Sequence, residues 1–249
     1  MQDQAPVNLI EIFSSIQGEG LYVGCRQVFV RLAGCNISCR YCDTQESFFS
    51  SESARIETMP GERKFRQIAN PVSFDSLFEF VNTLCRSPHH SVSLTGGEPL
   101  LNPAAVRALS EIRRCGVKLF LETNGTLPLA LSGVIDFVDI VSMDIKLPSA
   151  IRGKDFWREH ADFLQIASQT EVYVKTVLTG DTTEEEICQT VELVAAVDRD
   201  IPLVLQPVTP LHGVQAAPSE KILHWQSLAL NKLSMVRVIP QTHKLLGIL

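Results

Sequence analysis

The stretch that decides the fold is Cys35-Asn36-Ile37-Ser38-Cys39-Arg40-Tyr41-Cys42, which holds three of the chain's seven cysteines in the spacing CxxxCxxC. A closed structural zinc site takes four protein ligands, whereas three thiolates suit an iron–sulfur cluster that leaves one iron open to a small molecule. On this motif alone, a zinc site with a distant fourth ligand, or three unrelated thiols, stays open as an alternative.

The residues on either side of the cysteines place them at the end of a β-strand. An apolar run from Val28 to Leu32 leads through Ala33-Gly34 into the motif, and Asp43-Thr44 follows it. Parallel α/β enzymes carry their chemistry on the loops that follow the carboxyl ends of the strands. The sequence therefore predicts a metal-cluster loop at that edge of a sheet.

Length and composition indicate an ordinary globular chain. It has 249 residues, of which 45% are hydrophobic, and we expect a single domain over 1–249 because α/β barrels commonly reach this length. The net charge of −6, with no dense block of Lys and Arg, argues against nucleic acid as a direct partner. No apolar run approaches the roughly 20 residues that cross a bilayer, and the N-terminus lacks the features of a signal peptide.

Four cysteines lie outside the motif, and their scatter does not suggest a disulfide framework. Cys25, Cys85, Cys115 and Cys188 fall in strand-like and helix-like contexts. We predict that they are buried, reduced thiols in a cytoplasmic protein.

Apolar runs alternate with helical patterns along the chain, which is typical of repeated β–α units and predicts an α/β fold. The predicted strands are 8–13, 27–32, 91–94, 118–121, 137–142, 172–178, 203–206 and 235–238. The predicted helices are capped at or begin near Ser73, Asn102, Trp157, Asp181 and Ser219. Residues 46–70 are polar and lack periodicity, which predicts a surface insertion after the cluster loop that is mobile or folded over the site.

A second motif, Thr95-Gly96-Gly97-Glu98-Pro99, directly follows the predicted strand 91–94. Paired glycines let backbone approach a ligand closely, and Glu98 is well placed to meet an ammonium group, although a tight turn is the default explanation. Together with the three-cysteine loop, this motif resembles the radical S-adenosylmethionine superfamily, whose members pair CxxxCxxC with a GGEP-like segment that binds the methionine amino group.

Further motifs narrow the resemblance. They are Ile16-Gln17-Gly18-Glu19-Gly20, Cys42-Asp43-Thr44, Glu122-Thr123-Asn124-Gly125, Gln206-Pro207-Val208 and the tail from Gln241 to Leu249. With them the chain resembles the 7-carboxy-7-deazaguanine synthases from about Glu11 to its last residue. The resemblance implies a partial (β/α)6-like barrel of mostly parallel strands. It also implies conversion of 6-carboxy-5,6,7,8-tetrahydropterin to 7-carboxy-7-deazaguanine with release of ammonia, in queuosine and deazapurine biosynthesis.

The same resemblance implies the cofactors and partners. The cofactors are a 4Fe–4S cluster, S-adenosylmethionine and Mg²⁺. The small-molecule substrate is the pterin, the electron donor is a flavodoxin or ferredoxin, and the chain is expected to form a homodimer.

The family's functional residues can be transferred to matching positions of this chain. The cluster ligands are Cys35, Cys39 and Cys42, and the Mg²⁺ ligand is Thr44. The substrate residues are Ile16, Gln17, Gly18, Glu19, Arg31, Thr95 and Leu249. The residues that bind S-adenosylmethionine are Gly97, Glu98, Glu122, Ser142, Met143, Asp144, Gln206, Pro207 and Val208.

Several of these assignments have a structural alternative. Arg31 suits a substrate carboxylate but also an internal salt bridge, and Thr44 also suits a loop or helix cap. Many relatives read Ser-Pro-Lys where this chain has Ser142-Met143-Asp144, which leaves open whether Asp144 or Lys146 faces the ribose. Asn124 could reach the ribose or form an Asn-Gly turn. His243 could touch substrate or simply pack in the tail.

Two other functions share part of the evidence. A glycyl-radical-activating protein has the same cysteine and GGEP signals but acts on a polypeptide. A non-catalytic zinc-binding module would explain the cysteines without S-adenosylmethionine.

Overall fold

The computed structural model describes residues 6–151 and 155–248. A ten-stranded sheet has the order β10-β9-β8-β7-β6-β5-β2-β1-β3-β4. The strands are β1 (Leu9–Ile16), β2 (Arg26–Leu32), β3 (Ser53–Glu57), β4 (Phe65–Ala69), β5 (Ser91–Gly96), β6 (Lys118–Thr123), β7 (Ile140–Asp144), β8 (Glu171–Leu178), β9 (Leu203–Pro207) and β10 (Val236–Val238). The helices are α1 (Phe74–Leu84), α2 (Pro103–Leu109), α3 (Pro128–Ser132), α4 (Trp157–Ala167), α5 (Glu184–Val197), α6 (Ser219–Leu230) and α7 (Thr242–Leu246).

The predicted α/β fold with mostly parallel strands is confirmed. From β2 through β5 to β10 every neighbouring pair is parallel, and a helix lies between each strand and the next. The β1–β2 and β3–β4 pairs are antiparallel. In the described sheet β10 and β4 are the edges, so the strands form an open sheet, as in a partial barrel. No helix in the described ranges is long and apolar enough to span a membrane.

Local signals explain where the helices begin. The hydroxyl of Ser73 accepts a hydrogen bond from the N–H of Ser76 at 3.2 Å and caps α1, as predicted. The stretch from Asp181 to Glu186 carries the cap of α5, as predicted: Thr183 is the capping residue, and Glu186 three residues later completes a capping box. Asp181 instead pairs with Arg40 at 2.6 Å.

The segment 46–70 differs from its prediction, which assigned it no strand. β3 pairs in parallel with β1, and β4 pairs with β3, so most of the segment is a hairpin that extends the sheet. The alternation of apolar and polar residues is too short here to predict a strand. In β3 only the buried Ala54 and Ile56 alternate with the exposed Arg55, and β4 is an edge strand whose residues are half-buried or exposed.

The free cysteines also differ from their prediction. Cys25, Cys85 and Cys188 are half-buried rather than fully buried, and Cys115 is exposed at the end of a short 3-10 helix. All four are unpaired thiols.

Alternation along the strands divides the sheet into two faces. One face packs on the helices in the main core, with Leu121, Val141 and Leu205 among its residues. On the other face, Phe120, Ile140, Tyr173 and Val204 form a smaller apolar layer. Two residues further toward the carboxyl end of each of these strands, the residue on the same face is polar: Glu122, Ser142, Lys175 and Gln206. The fold thus supports a polar site on an apolar floor.

Candidate active site

The carboxyl ends of the strands surround a cavity of about 530 Å³. Residues from the predicted cluster, substrate and cofactor groups line the same space. They are Ile16, Gln17, Gly18, Glu19, Arg31, Cys35, Cys39, Cys42, Thr44, Thr95, Gly97, Glu122, Ser142, Asp144, Gln206 and Val208. Glu98, Met143 and Pro207 do not line it, and Leu249 lies outside the described residues.

The absence of Met143 and Pro207 from the cavity follows from the alternation of strand residues. Ser142 and Asp144 face the cavity, so Met143 between them points into the main core, where it is fully buried. Pro207 likewise lies between the cavity residues Gln206 and Val208. The structure therefore does not support side-chain contacts from Met143 and Pro207 to a ligand in this cavity.

The three motif cysteines line the cavity as free, half-buried thiols. Burial raises the pKa of the Cys39 thiol to about 11, although nearby Lys146 opposes the shift, and burial also raises the pKa of Cys35. Among the described residues, no group of three Cys, His, Asp or Glu side chains is arranged to hold one metal ion. A 4Fe–4S cluster takes each thiolate at a different iron, so this donor set fits a cluster better than a single zinc ion.

Thr44 lies at the start of a short 3-10 helix (Gln45–Phe48), but its hydroxyl makes no capping hydrogen bond. The Oγ1 atom is 3.9 Å from the Sγ of Cys42 and lies at the cavity. A hydroxyl at this place beside the cluster loop can act as an oxygen ligand to a hard ion such as Mg²⁺. The capping alternative for this side chain is therefore not supported.

The GGEP turn is packed directly against the cluster loop. A Cβ atom on Gly97 would lie 1.9 Å from the carbonyl oxygen of Gly34. Gly96 has a φ of 119°, and a Cβ there would lie 2.2 Å from the carbonyl oxygen of Leu32. Only glycine fits at both positions, so the two loops can approach each other closely.

Glu98 does not face the cavity, contrary to the expectation that it meets an ammonium group. Its carboxylate accepts hydrogen bonds from the N–H of Leu100 at 3.0 Å, the N–H of Asn124 at 2.8 Å and the hydroxyl of Thr123 at 2.8 Å. Burial raises the pKa of this carboxyl, and the hydrogen bonds partly oppose that shift. Glu98 therefore joins the GGEP turn to the end of β6.

Glu122 organises the wall between the predicted substrate and cofactor residues. Its Oε1 accepts from Nε2 of Gln17 at 2.7 Å and from the hydroxyl of Ser93 at 2.9 Å. Its Oε2 accepts from the hydroxyl of Thr95 at 3.0 Å. Gln17 also donates to Gln27 at 3.0 Å. The carboxylate thus fixes Gln17 and Thr95 in one orientation.

A chain of buried charges crosses the opposite wall. Lys175 pairs with Glu19 and, at 3.2 Å, with Asp144, which also pairs with Lys146 at 2.9 Å. Burial alone would lower the pKa of Lys175, but Glu19 and Asp144 hold it well above its ordinary value. Burial would raise the pKa of Glu19, but Lys175 and a hydrogen bond from Gln241 hold it far below its ordinary range. Lys175 and Glu19 are therefore ionised at neutral pH.

The C-terminal segment closes one side of the cavity. The N–H of Thr242 donates to the carbonyl of Gly18 at 2.9 Å, and Nε2 of Gln241 donates to Glu19 at 2.7 Å. Lys244 pairs with Asp43 at 2.8 Å. His243 lies against Gly18 and lines the cavity, so it combines the packing and site-lining roles left open by the sequence.

Comparison with known proteins identifies the family. The model of the radical SAM superfamily matches residues 30–194. The 7-carboxy-7-deazaguanine synthase of Geobacter sulfurreducens is 44% identical over 242 residues, covering 96% of each chain. The enzyme of the same name from Methanothermobacter thermautotrophicus is 36% identical and covers 98% of each chain.

The chain belongs to the 7-carboxy-7-deazaguanine synthase family.

The structure of QueE from Escherichia coli supports the fold of this synthase family member. It superposes with a TM-score of 0.61 over 94% of this chain and 93% of its own, at 20% sequence identity. As a radical SAM synthase the chain uses a 4Fe–4S cluster, S-adenosylmethionine and Mg²⁺. The zinc-module and glycyl-radical-activating alternatives are not favoured.

Sequence reasoning missed several cavity residues of this synthase. Lys175 lies among apolar residues in the interior of β8, which was a usable signal, since an unpaired lysine is rarely buried. Arg55 lies on the unrecognised hairpin, and Gln241 and Lys244 lie on the tail. The type of these residues alone gave no indication of which face they occupy.

Proposed function

We propose that this chain is a 7-carboxy-7-deazaguanine synthase that converts 6-carboxy-5,6,7,8-tetrahydropterin to 7-carboxy-7-deazaguanine with release of ammonia. The observation that carries the proposal is a single cavity that holds the three-thiol loop, the Gln17–Glu122–Thr95 network and the Arg31 guanidinium. These features join a radical-generating site to a wall suited to a polar heterocycle with a carboxylate.

Cys35, Cys39 and Cys42 would hold the cluster, and the Gly97 turn would bring the backbone close to S-adenosylmethionine. When bound, these cofactors supply a deoxyadenosyl radical, the hydrogen-abstracting agent of this enzyme class. The protein contributes position and exclusion of water, because a reactive carbon must be held in contact with the attacking group. The apolar floor of Phe120, Ile140, Tyr173 and Val204 would close the site from below.

The substrate side of the cavity carries complementary groups for the pterin. Gln17 and Thr95 would bind the ring, since Glu122 fixes both of them, and the Arg31 fork would bind the carboxylate. Thr44 would place Mg²⁺ beside the same carboxylate. Ile16, Gly18 and Glu19 would complete the edge under the C-terminal segment. Leu249, which lies outside the described residues, is proposed as a substrate residue from the family resemblance alone.

On the cofactor side, we assign the ribose contact to Asp144 rather than Lys146. The Oδ1 atom of Asp144 is buried and has no partner in the part of the chain that the structure describes. Lys146 already pairs with Asp144, and its ammonium lies 5.3 Å from the ring centre of Tyr41. Oε1 of Gln206 is likewise buried without a described partner, so it can accept from the same ligand. Ser142 and Val208 lie beside them.

Four further assignments complete the proposal: the domain organisation, the oligomeric state, the electron donor and the location. The chain acts as one domain over its whole length, as a homodimer that receives electrons from a flavodoxin or ferredoxin. The free thiols suit a reducing compartment, and we place the protein in the cytoplasm. Size-exclusion chromatography with light scattering would test the dimer.

The decisive experiment is anaerobic reconstitution followed by an assay with S-adenosylmethionine, Mg²⁺, a reductant and the carboxypterin. We expect a brown protein with about four irons per chain and formation of 7-carboxy-7-deazaguanine without a protein substrate. Replacing each motif cysteine with alanine should abolish the colour and the activity. A cluster-loaded protein that cleaves S-adenosylmethionine but leaves the pterin unchanged would refute the proposed substrate.

A further inference from the structure

Four side chains on adjacent strands form one row along the cavity wall. Arg55 of β3 is in register with Glu11 of β1, Glu11 with Arg31 of β2, and Arg31 with Thr95 of β5. All four line the cavity. We define Arg55, Glu11 and Arg31 as the charged row. Its outermost member comes from the hairpin that the sequence did not reveal.

Glu11 is buried and holds one arginine at each carboxylate oxygen. Its Oε1 accepts from the Nε of Arg31 at 3.1 Å, and its Oε2 accepts from a terminal nitrogen of Arg55. Arginine stays protonated in proteins, so two guanidinium groups face one carboxylate. The charged row therefore keeps one excess positive charge, whereas Glu11 and Arg31 alone would form a neutral pair.

The geometry of Arg31 shows where the excess positive charge can act on a ligand. Arg31 reaches Glu11 through Nε, and in the described residues its two terminal nitrogens have no protein acceptor. The guanidinium carbon lies 5.8 Å from the ring centre of Phe13, and the side chain is 18% exposed, toward the cavity. A planar fork with unpartnered terminal N–H groups matches a carboxylate.

The position of Arg55 suits an ion pair with Glu11 rather than contact with the ligand. Its guanidinium carbon lies 4.9 Å from the ring centre of Phe65 on β4, and its side chain is 52% exposed. The hairpin thus presents one cation to the far oxygen of Glu11. Without that cation, the free oxygen of Glu11 would compete with a ligand for the terminal nitrogens of Arg31.

We infer that Arg55 is a positioning residue that neutralises Glu11 and so reserves Arg31 for the carboxylate of the substrate. This inference rests on the proposed function, because it takes the ligand to be a carboxypterin. The β3–β4 hairpin thus contributes to substrate recognition without contacting the substrate.

The test compares two fluorescent probes, pterin-6-carboxylate and unsubstituted pterin, in titrations of the reconstituted protein. We expect Arg55→Met to weaken binding of pterin-6-carboxylate by about tenfold, as expected for loss of one favourable charge, and to leave pterin unchanged. The double variant Glu11→Gln with Arg55→Met should restore binding to within about twofold, because the unbalanced carboxylate is gone. Arg66→Met is the matched control, since Arg66 lies on the same hairpin, over Phe80, outside the cavity lining.

Turnover adds a second readout. Arg55→Met should raise KM for the carboxypterin with little change in kcat, because the reacting groups are untouched. Unchanged binding in Arg55→Met, or no recovery in the double variant, would overturn the inference even if the wild type makes product. Failure of the wild type to bind pterin-6-carboxylate would also overturn it. A wild type that binds this probe without turning over the carboxypterin would refute the proposed function, and the variants would still decide the role of Arg55.

Discussion

Asn36 of the cluster loop and Asn124 at the end of β6 are joined by a side-chain hydrogen bond of 2.8 Å. Thr126 completes the ring: its hydroxyl accepts from Asn36 at 2.8 Å and donates to Asn124 at 2.6 Å. On the other side, the N–H of Glu98 donates to the carbonyl of Gly34 at 2.7 Å. Because Glu98 also binds the N–H of Asn124, the loops after β2, β5 and β6 form a closed hydrogen-bonded circuit around Cys35.

This circuit predicts that Thr126→Val, which keeps the shape of the side chain, loosens the cluster loop. Losing the hydroxyl removes two hydrogen bonds that each contribute about 1 kcal/mol, so iron loss to a chelator should accelerate by about 30-fold. Thr126→Ser keeps the hydroxyl and should behave as the wild type. Iron release can be followed by the absorbance of a ferrous chelate, and equal rates in the two variants would contradict the role of the circuit.

Gly97→Ala should prevent the cluster loop from packing on the GGEP turn. The new methyl would overlap the carbonyl of Gly34, and the atoms that it meets are all backbone, so they cannot rotate away as a side chain could. We expect a folded protein that no longer binds S-adenosylmethionine, seen as loss of the cofactor-induced change in the electron paramagnetic resonance spectrum of the reduced cluster. Gly133→Ala is the control, because its nearest atom would be 3.6 Å away. Normal cofactor binding by Gly97→Ala would show that the turn tolerates a side chain.

We predict that His160 makes the free energy of unfolding depend on pH. Its ring is fully buried and its Nε2 lies 3.1 Å from the carbonyl oxygen of Asn124. Burial lowers its pKa from 6.5 to about 4, with Lys146 adding to the shift and Asp144 and Glu159 opposing it. Between these values the unfolded chain binds the proton and the folded chain does not, so stability is fully present above pH 6.5 and falls as the pH is lowered.

At pH 4 this term should cost about 3 kcal/mol of the free energy of unfolding relative to pH 7. His160→Phe removes the titrating group, so the wild type should lose about that much more stability than the variant over this range. Denaturant unfolding at each pH measures the difference. Parallel pH profiles for the two proteins would mean that His160 is protonated as easily in the folded chain as in the unfolded one.

The motifs predicted which residues line the cavity more completely than the pattern of elements predicted the individual strands. Cys35, Thr44 and Thr95 follow predicted strands, and the carboxyl ends of parallel strands necessarily meet. The motifs did not predict which residue of a matching triplet faces inward, because that depends on the alternation set by strand register. For this reason Met143 and Pro207 do not line the cavity, although their neighbours in the same triplets do.

Long-range pairing accounts for what the sequence could not show. Arg55 acts through Glu11, which lies 44 positions earlier, and Lys175 pairs with Glu19, which lies 156 positions away. Glu98 was predicted to meet an ammonium group, but its carboxylate accepts three hydrogen bonds from the chain itself, two of them at the end of β6. The sequence does not show that these donors lie close to Glu98. Each case depends on a partner whose proximity is created by the sheet.

Lys175 provides a test of the buried charge chain. Lys175→Met keeps the length of the side chain but removes the cation between Glu19 and Asp144, leaving Glu19 with Gln241 and Asp144 with Lys146. Breaking a buried pair on one side typically costs about 3–5 kcal/mol, so the free energy of unfolding should fall by about that amount at pH 7. Part of it should return as the pH is lowered toward about 4.5, because without Lys175 burial raises the pKa of the Glu19 carboxyl, which then takes up a proton and no longer needs a cation. Lys118→Met removes an exposed lysine that lies 3.6 Å from Glu171 and should change stability by less than about 1 kcal/mol. If both variants unfold at the same denaturant concentration, the chain of charges does not stabilise the cavity wall.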